Sequence, residues 1–120
     1  IQMIHSIGSD LVSIQRIKEM DLERFKDKIL SEDEKIEFSK ITHINRKLTY
    51  LAGRFAAKEA LFKCFKEGDK TANYKDFSVL NGETGAPYVV SKHTQNYNVF
   101  ITLSHTDEYA IAFVILEVKV

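Results

Sequence analysis

Glu59 and Lys63, with Asp10 far upstream, are the side chains whose types and spacing could do chemistry. On a helix at about 100° per residue, Ala52, Ala56, Glu59 and Lys63 share one face. A carboxylate and an ammonium then project beside small residues that let another group come close. Arg54 and Lys58 fall on the other flank of an apolar stripe, so this helix presents cations on two sides. Each feature alone has an ordinary reading. An exposed Glu59–Lys63 pair at i,i+4 is common helix surface worth about 0.3–0.5 kcal/mol, and an aspartate after Gly8 and Ser9 commonly serves as a turn residue or cap.

The elements that must position these groups are legible from periodicity. Residues 3–7 alternate apolar and polar and run into Gly8-Ser9-Asp10, which predicts a strand with Asp10 at its C-terminal end. Residues 13–29 carry Ile14, Ile17, Met20, Phe25 and Ile29 at helical spacing behind a capping Ser13, as one broken helix or two short ones. Ser31 followed by Glu34 predicts a capping box and a helix to about Lys40. Residues 43–66 contain Gly53 as their one glycine and an apolar stripe of Leu48, Leu51, Phe55, Phe62 and Phe65, the pattern of a long main helix. Residues 77–80, 88–90, 99–103 and 109–118 are rich in β-branched and aromatic side chains and read as strands. Turn formers at 81–87 and at 104–108 connect them in pairs. The class is α+β, with an N-terminal strand, helices including one long central helix, and then an antiparallel sheet.

With 120 residues and 13.8 kDa the chain fits one domain, 1–120, and is too small to enclose an extensive cleft by itself. Ile1 and Gln2 precede Met3 and are expected to be a vector-derived remnant. Seventeen basic and seventeen acidic side chains cancel, so any anion site is local and nucleic acid is not an expected partner. No stretch approaches the roughly 20 apolar residues of a membrane span, and no secretion signal opens the chain, so a cytoplasmic location without membrane contact is expected. Cys64 is the single cysteine and is expected to be a buried thiol inside the main helix. His5, His43 and His93 match no metal-ligand spacing, and zinc is not expected.

In combination the motifs are far more specific. Gly8-x-Asp10 with Arg16-Ile17 six residues on, the block Ala52-Gly53-Arg54-Phe55-Ala56-Ala57-Lys58-Glu59-Ala60, and Ile101-x-Leu103-Ser104-His105-Thr106 occur in that order. Together they resemble the three motif blocks of the holo-acyl-carrier-protein synthases, the small trimeric branch of the 4'-phosphopantetheinyl transferases. Gly85-x-Pro87-Tyr88 is similar to that family's loop before the second strand.

The resemblance implies a 4'-phosphopantetheinyl transferase fold and transfer of phosphopantetheine from coenzyme A to a serine of apo-acyl carrier protein. It implies Mg²⁺ as cofactor, held by Asp10 and Glu59, a hard ion that suits carboxylates and phosphate oxygens. It places Lys63 on the pyrophosphate as a third catalytic group. Arg54 and His105 come near the 3'-phosphate and nucleotide, and Lys58, Gly68, Gly85, Pro87, Ser104 and Thr106 complete the coenzyme A contacts. A serine hydroxyl must lose its proton as it attacks, and Glu59 or a metal-bound water beside Asp10 would take it. His105 would otherwise be a solvated turn residue. Arg16, Met20, Arg24 and Phe25 alternate cationic and apolar groups and are expected to dock an acidic helix of the carrier, although Glu19, Asp21 and Glu23 are interleaved. Sites between subunits of a homotrimer would explain how so small a chain builds a cleft.

The chain departs from the family in one place. A glycine-rich turn usually follows the main helix, where this chain has Phe65-Lys66-Glu67-Gly68-Asp69-Lys70, so backbone contacts to phosphate in that loop lose their glycines. The rival reading is a coenzyme A or nucleotide-binding module that keeps the scaffold without transfer.

Overall fold

The computed structural model describes residues 3–65 and 73–120. The Lys66, Gly68 and Lys70 loop lies outside the described residues. The first strand, β1, spans Ile4–Ser13 and so continues past Gly8-Ser9-Asp10, which the sequence predicts as its end. The reason is long-range pairing: it runs antiparallel to β5, Tyr109–Val118, with Asp10 opposite Ala112 and Ser13 opposite Tyr109. That ladder outweighs the weak strand preference of Gly and Asp. The other edge of β5 pairs with β4, Tyr97–His105, giving the order β1-β5-β4. β2, Phe77–Asn81, and β3, Pro87–Ser91, form a separate two-stranded sheet, so the C-terminal strands divide between two sheets.

Residues 13–29 form two helices, α1 (Ile14–Lys18) and α2 (Leu22–Ile29), because there are two caps: Ser13 Oγ accepts from Arg16 N at 3.3 Å and the Asp21 carboxylate from Arg24 N at 3.2 Å. In α3, Glu32–Ser39, the capping box forms as its sequence requires, Ser31 N donating to Glu34 Oε1 at 2.8 Å and Glu34 N to Ser31 Oγ at 3.3 Å.

The long helix α4 spans Ile44–Cys64. Its small-residue face, Ala52, Ala56 and Ala60, is wholly buried against the inner face of the three-stranded sheet, where Ala112 and Val114 stand. The close approach has a specific requirement at Gly8, where an added Cβ would lie 2.1 Å from the Ala60 carbonyl oxygen. The group admitted by the alanines is thus this chain's own sheet. Leu51 and Leu61, fully removed from water, each stabilise the core by about 1.5–3 kcal/mol. Phe55, Phe62 and Phe65 are half-buried and make a second, aromatic layer, with Phe25 edge-on to Phe55 at 5.2 Å and Phe62 to Phe77 at 5.7 Å. Cys64 is buried, its Sγ 3.9 Å from the Val114 carbonyl oxygen.

The outer face of the three-stranded sheet is different. Ile7 and Leu11 of β1, Phe100 of β4 and Tyr109, Ile111 and Phe113 of β5 are all exposed there. Among the described residues no helix is long and apolar enough to cross a membrane.

Candidate active site

Alternation along β1 turns Gly8, Asp10 and Val12 toward α4, and Glu59 stands on the facing helix. Both carboxylates line one cavity of about 440 Å³ together with Val12, Arg16, Phe55 and Tyr109. Lys63 does not form the i,i+4 pair with Glu59; its ammonium reaches β1, 3.1 Å from Asp10 Oδ1, and donates to the Ser9 carbonyl at 2.8 Å. Glu59 Oε1 accepts from the Tyr74 hydroxyl at 2.6 Å. Burial, the bond to Glu59 and the negative charge of Glu59 and Asp10 push the Tyr74 phenol up to about 12. Asp10, Glu59 and Lys63 are therefore gathered at one place by β1 and the C-terminal turns of α4.

Two carboxylates beside an ammonium make an all-oxygen protein donor set. That set fits a hard ion that takes one or two protein carboxylates and completes its shell with water and phosphate oxygens. Among the described residues no group of three or more His, Cys, Asp or Glu could hold a metal.

A second cavity of about 200 Å³ collects Arg54, Gly85, Pro87, Ser104 and His105. His105 is the last residue of β4, opposite Ala110, and not a residue of the turn. Gly85 has a φ of 86°, which only glycine adopts without strain, and its N–H closes the loop onto the Gly82 carbonyl at 2.9 Å. The Arg54 guanidinium stacks 4.1 Å over the Tyr50 ring. Its Nε donates to the Val79 carbonyl at 2.9 Å, and Nη2 donates to Asn81 Oδ1 at 3.0 Å and Glu37 Oε1 at 3.4 Å. Nη1 makes no hydrogen bond among the described residues, on a side chain that is only 6% exposed. Arg54 is thus a clamped cation in the wall of this cavity. The two cavities share no lining residue. A larger open groove of about 850 Å³ between β3 and β4 contains none of the expected site residues.

Several expectations need correction. Lys58 is not a surface cation: it and Glu34 are both 0% exposed, and its ammonium is bonded to Glu34 and to the Ile29 carbonyl. Burial pulls its ammonium below the ordinary lysine range, opposed by the Glu34 charge. Phe25, 9% exposed and packed on Phe55, presents nothing to a carrier protein, whereas Arg16 and Arg24 are exposed and Met20 half-buried. Thr106 lines neither cavity; its Oγ1 accepts from Glu108 N and Tyr109 N, each at 3.1 Å, and holds the β4–β5 turn. Gly68 lies outside the described residues.

The structure also adds residues. Arg46, Thr49 and Tyr50 line the Arg54 cavity, and their spacing of three, four and eight from Arg46 to Arg54 puts all of them on one side of α4, a signal available in the sequence. Glu37, Asn81 and Tyr74 carry no such signal, since they meet Arg54 and Glu59 only through tertiary packing.

Residues 6–114 match the 4'-phosphopantetheinyl transferase superfamily. A holo-[acyl-carrier-protein] synthase of Acholeplasma laidlawii is 73% identical over 118 residues, which cover 98% of this chain and 100% of that protein. One from Staphylococcus saprophyticus is 42% identical over 119 residues, covering 97% and 100%. The crystal structure of a holo-(acyl-carrier-protein) synthase from Bacillus anthracis in complex with CoA (3',5'-ADP) has the same α+β fold, with a TM-score of 0.89 at 35% identity over 98% of this chain and 99% of that one. Identity of this extent along both chains makes the chain an enzyme that belongs to the holo-[acyl-carrier-protein] synthase family of the 4'-phosphopantetheinyl transferase superfamily.

Proposed function

We propose that the chain transfers the 4'-phosphopantetheine group of coenzyme A to a serine of apo-acyl carrier protein and releases adenosine 3',5'-bisphosphate, in a reaction that depends on Mg²⁺. The observation that carries this reading is the shared cavity of Asp10 and Glu59 beside the Lys63 ammonium. The names of the relatives and the nucleotide complex of the Bacillus anthracis protein support the substrates.

Asp10 and Glu59 would hold the metal, which when bound neutralises charge on the diphosphate. Lys63 adds a positive charge at the transferred phosphate. The proton of the carrier serine would pass to Glu59 or to a water beside Asp10 as the serine oxygen bonds to phosphorus and the bond to the adenosine phosphate breaks. Arg54 and His105 bind the nucleotide end.

We read the assembly as a homotrimer. Two cavities without a common lining residue, and an exposed apolar sheet face centred on Leu11, 62% exposed, and Phe113, 40% exposed, support a site completed by a neighbouring copy. Arg16, Met20 and Arg24 would meet the acidic carrier. The chain acts as one domain in the cytoplasm.

The test is to incubate the protein with coenzyme A, Mg²⁺ and apo-acyl carrier protein and weigh the carrier. One added phosphopantetheine, absent when the metal is chelated, supports the reading. Coenzyme A binding with an unmodified carrier would instead identify the module without transfer.

A further inference from the structure

We propose that Tyr74 is a positioning residue for Glu59, its hydroxyl holding the carboxylate in the one orientation that receives a divalent cation beside Asp10. This rests on Asp10 and Glu59 being the cation ligands. The hydroxyl donates to Glu59 Oε1 at 2.6 Å, while Oε2 makes no hydrogen bond among the described residues. One oxygen is therefore tethered and the other left for the cavity that Glu59 lines with Asp10.

The tether is itself held. The Tyr74 ring sits 5.1 Å from Phe62 and 5.9 Å from Phe55, with the Lys28 ammonium 6.0 Å from its centroid. Phe55 also lines the cavity, so the aromatic layer that walls the site is the one that fixes the phenol. Below the ring, the 3₁₀ turn Tyr74–Asp76 is closed by Asn73 N donating to Asp76 Oδ2 at 2.9 Å, and Asp76 is joined to His93 at 3.1 Å. A glutamate on a helix has three torsions to fix before it can ligate. A rigid outer donor removes that freedom in advance, as outer partners of metal-binding carboxylates do.

Tyr74→Phe keeps the ring and removes only the donor. Mn²⁺ uptake, read from the electron paramagnetic resonance of the free ion in the presence of coenzyme A, is expected to weaken about tenfold. The Mg²⁺ concentration for half-maximal transfer is expected to rise by about the same factor, with kcat at saturating Mg²⁺ within about twofold of the parent. A merely structural residue would lower kcat and the thermal midpoint without rescue by Mg²⁺. Mn²⁺ affinity unchanged in the variant, or a kcat loss that excess Mg²⁺ does not restore, overturns the role of Tyr74 alone. A parent protein that takes up no Mn²⁺ overturns the assignment of Asp10 and Glu59 and this inference with it.

Discussion

Lys63 Nζ lies 3.1 Å from Asp10 Oδ1, joining two residues 53 apart in the chain and tying the last turn of α4 to the middle of β1. The side chain is more than half exposed, so the pair adds little to stability. Its consequence is placement, since it sets an ammonium at the rim of the cavity that holds both carboxylates.

Asp10→Ala and Glu59→Ala are each expected to reduce transfer by at least about 100-fold, the scale of about 3 kcal/mol of lost transition-state stabilisation, while circular dichroism stays that of the parent. Mass measurement of the carrier checks this. Full turnover by either variant would remove that residue from the site.

Lys58→Met leaves the fully buried Glu34 without its counter-charge and is expected to cost about 3–5 kcal/mol in urea unfolding. Coenzyme A affinity, measured where the variant is folded, should not move. A stable variant with lost coenzyme A binding would put Lys58 back at the substrate.

Gly8→Ala drives a methyl into the Ala60 backbone and should destabilise by about 1–3 kcal/mol or more. Because β1 also carries Asp10, transfer should fall with it. A thermal midpoint equal to the parent's would show that β1 and α4 can move apart freely.

Phe113→Asp places a charge in the centre of the exposed apolar sheet face. Light scattering is expected to show a trimeric parent and a smaller species for the variant, with transfer lost. A parent that is monomeric and active would refute sites built between copies.

The Asn73 N–H and the His93 ring hold the Asp76 carboxyl below its ordinary value of 3.8. Between the two values the unfolded chain binds more protons than the folded one. This stabilisation is therefore complete above 3.8 and is lost as pH falls through the folded value. In Asp76→Asn the thermal midpoint should fall less steeply with acid than in the parent, and parallel acid limbs would disprove the assignment.

The capping box of Ser31 and Glu34 and the break between Ser13 and Ile29 were readable from the sequence because each depends on residues three or four apart. The α+β class and the long helix followed from periodicity in the same way. For Asp10 and Glu59, the motif resemblance named the pair, and nothing in their spacing could bring them together.

By itself, then, the sequence determined which segments become helix and strand and which motif blocks the chain carries. Tertiary structure decided the length of β1, through its pairing with β5. It also decided the fate of Lys58, whose helical position is equally compatible with surface and core until Glu34 and the Ile29 carbonyl arrive from elsewhere in the chain. Tyr74 and Glu37 acquire their partners in the same manner. The physical reason is common to all of them: hydrogen-bond and charge partners of buried groups are set by which surfaces exclude water together, and a local pattern does not contain that information.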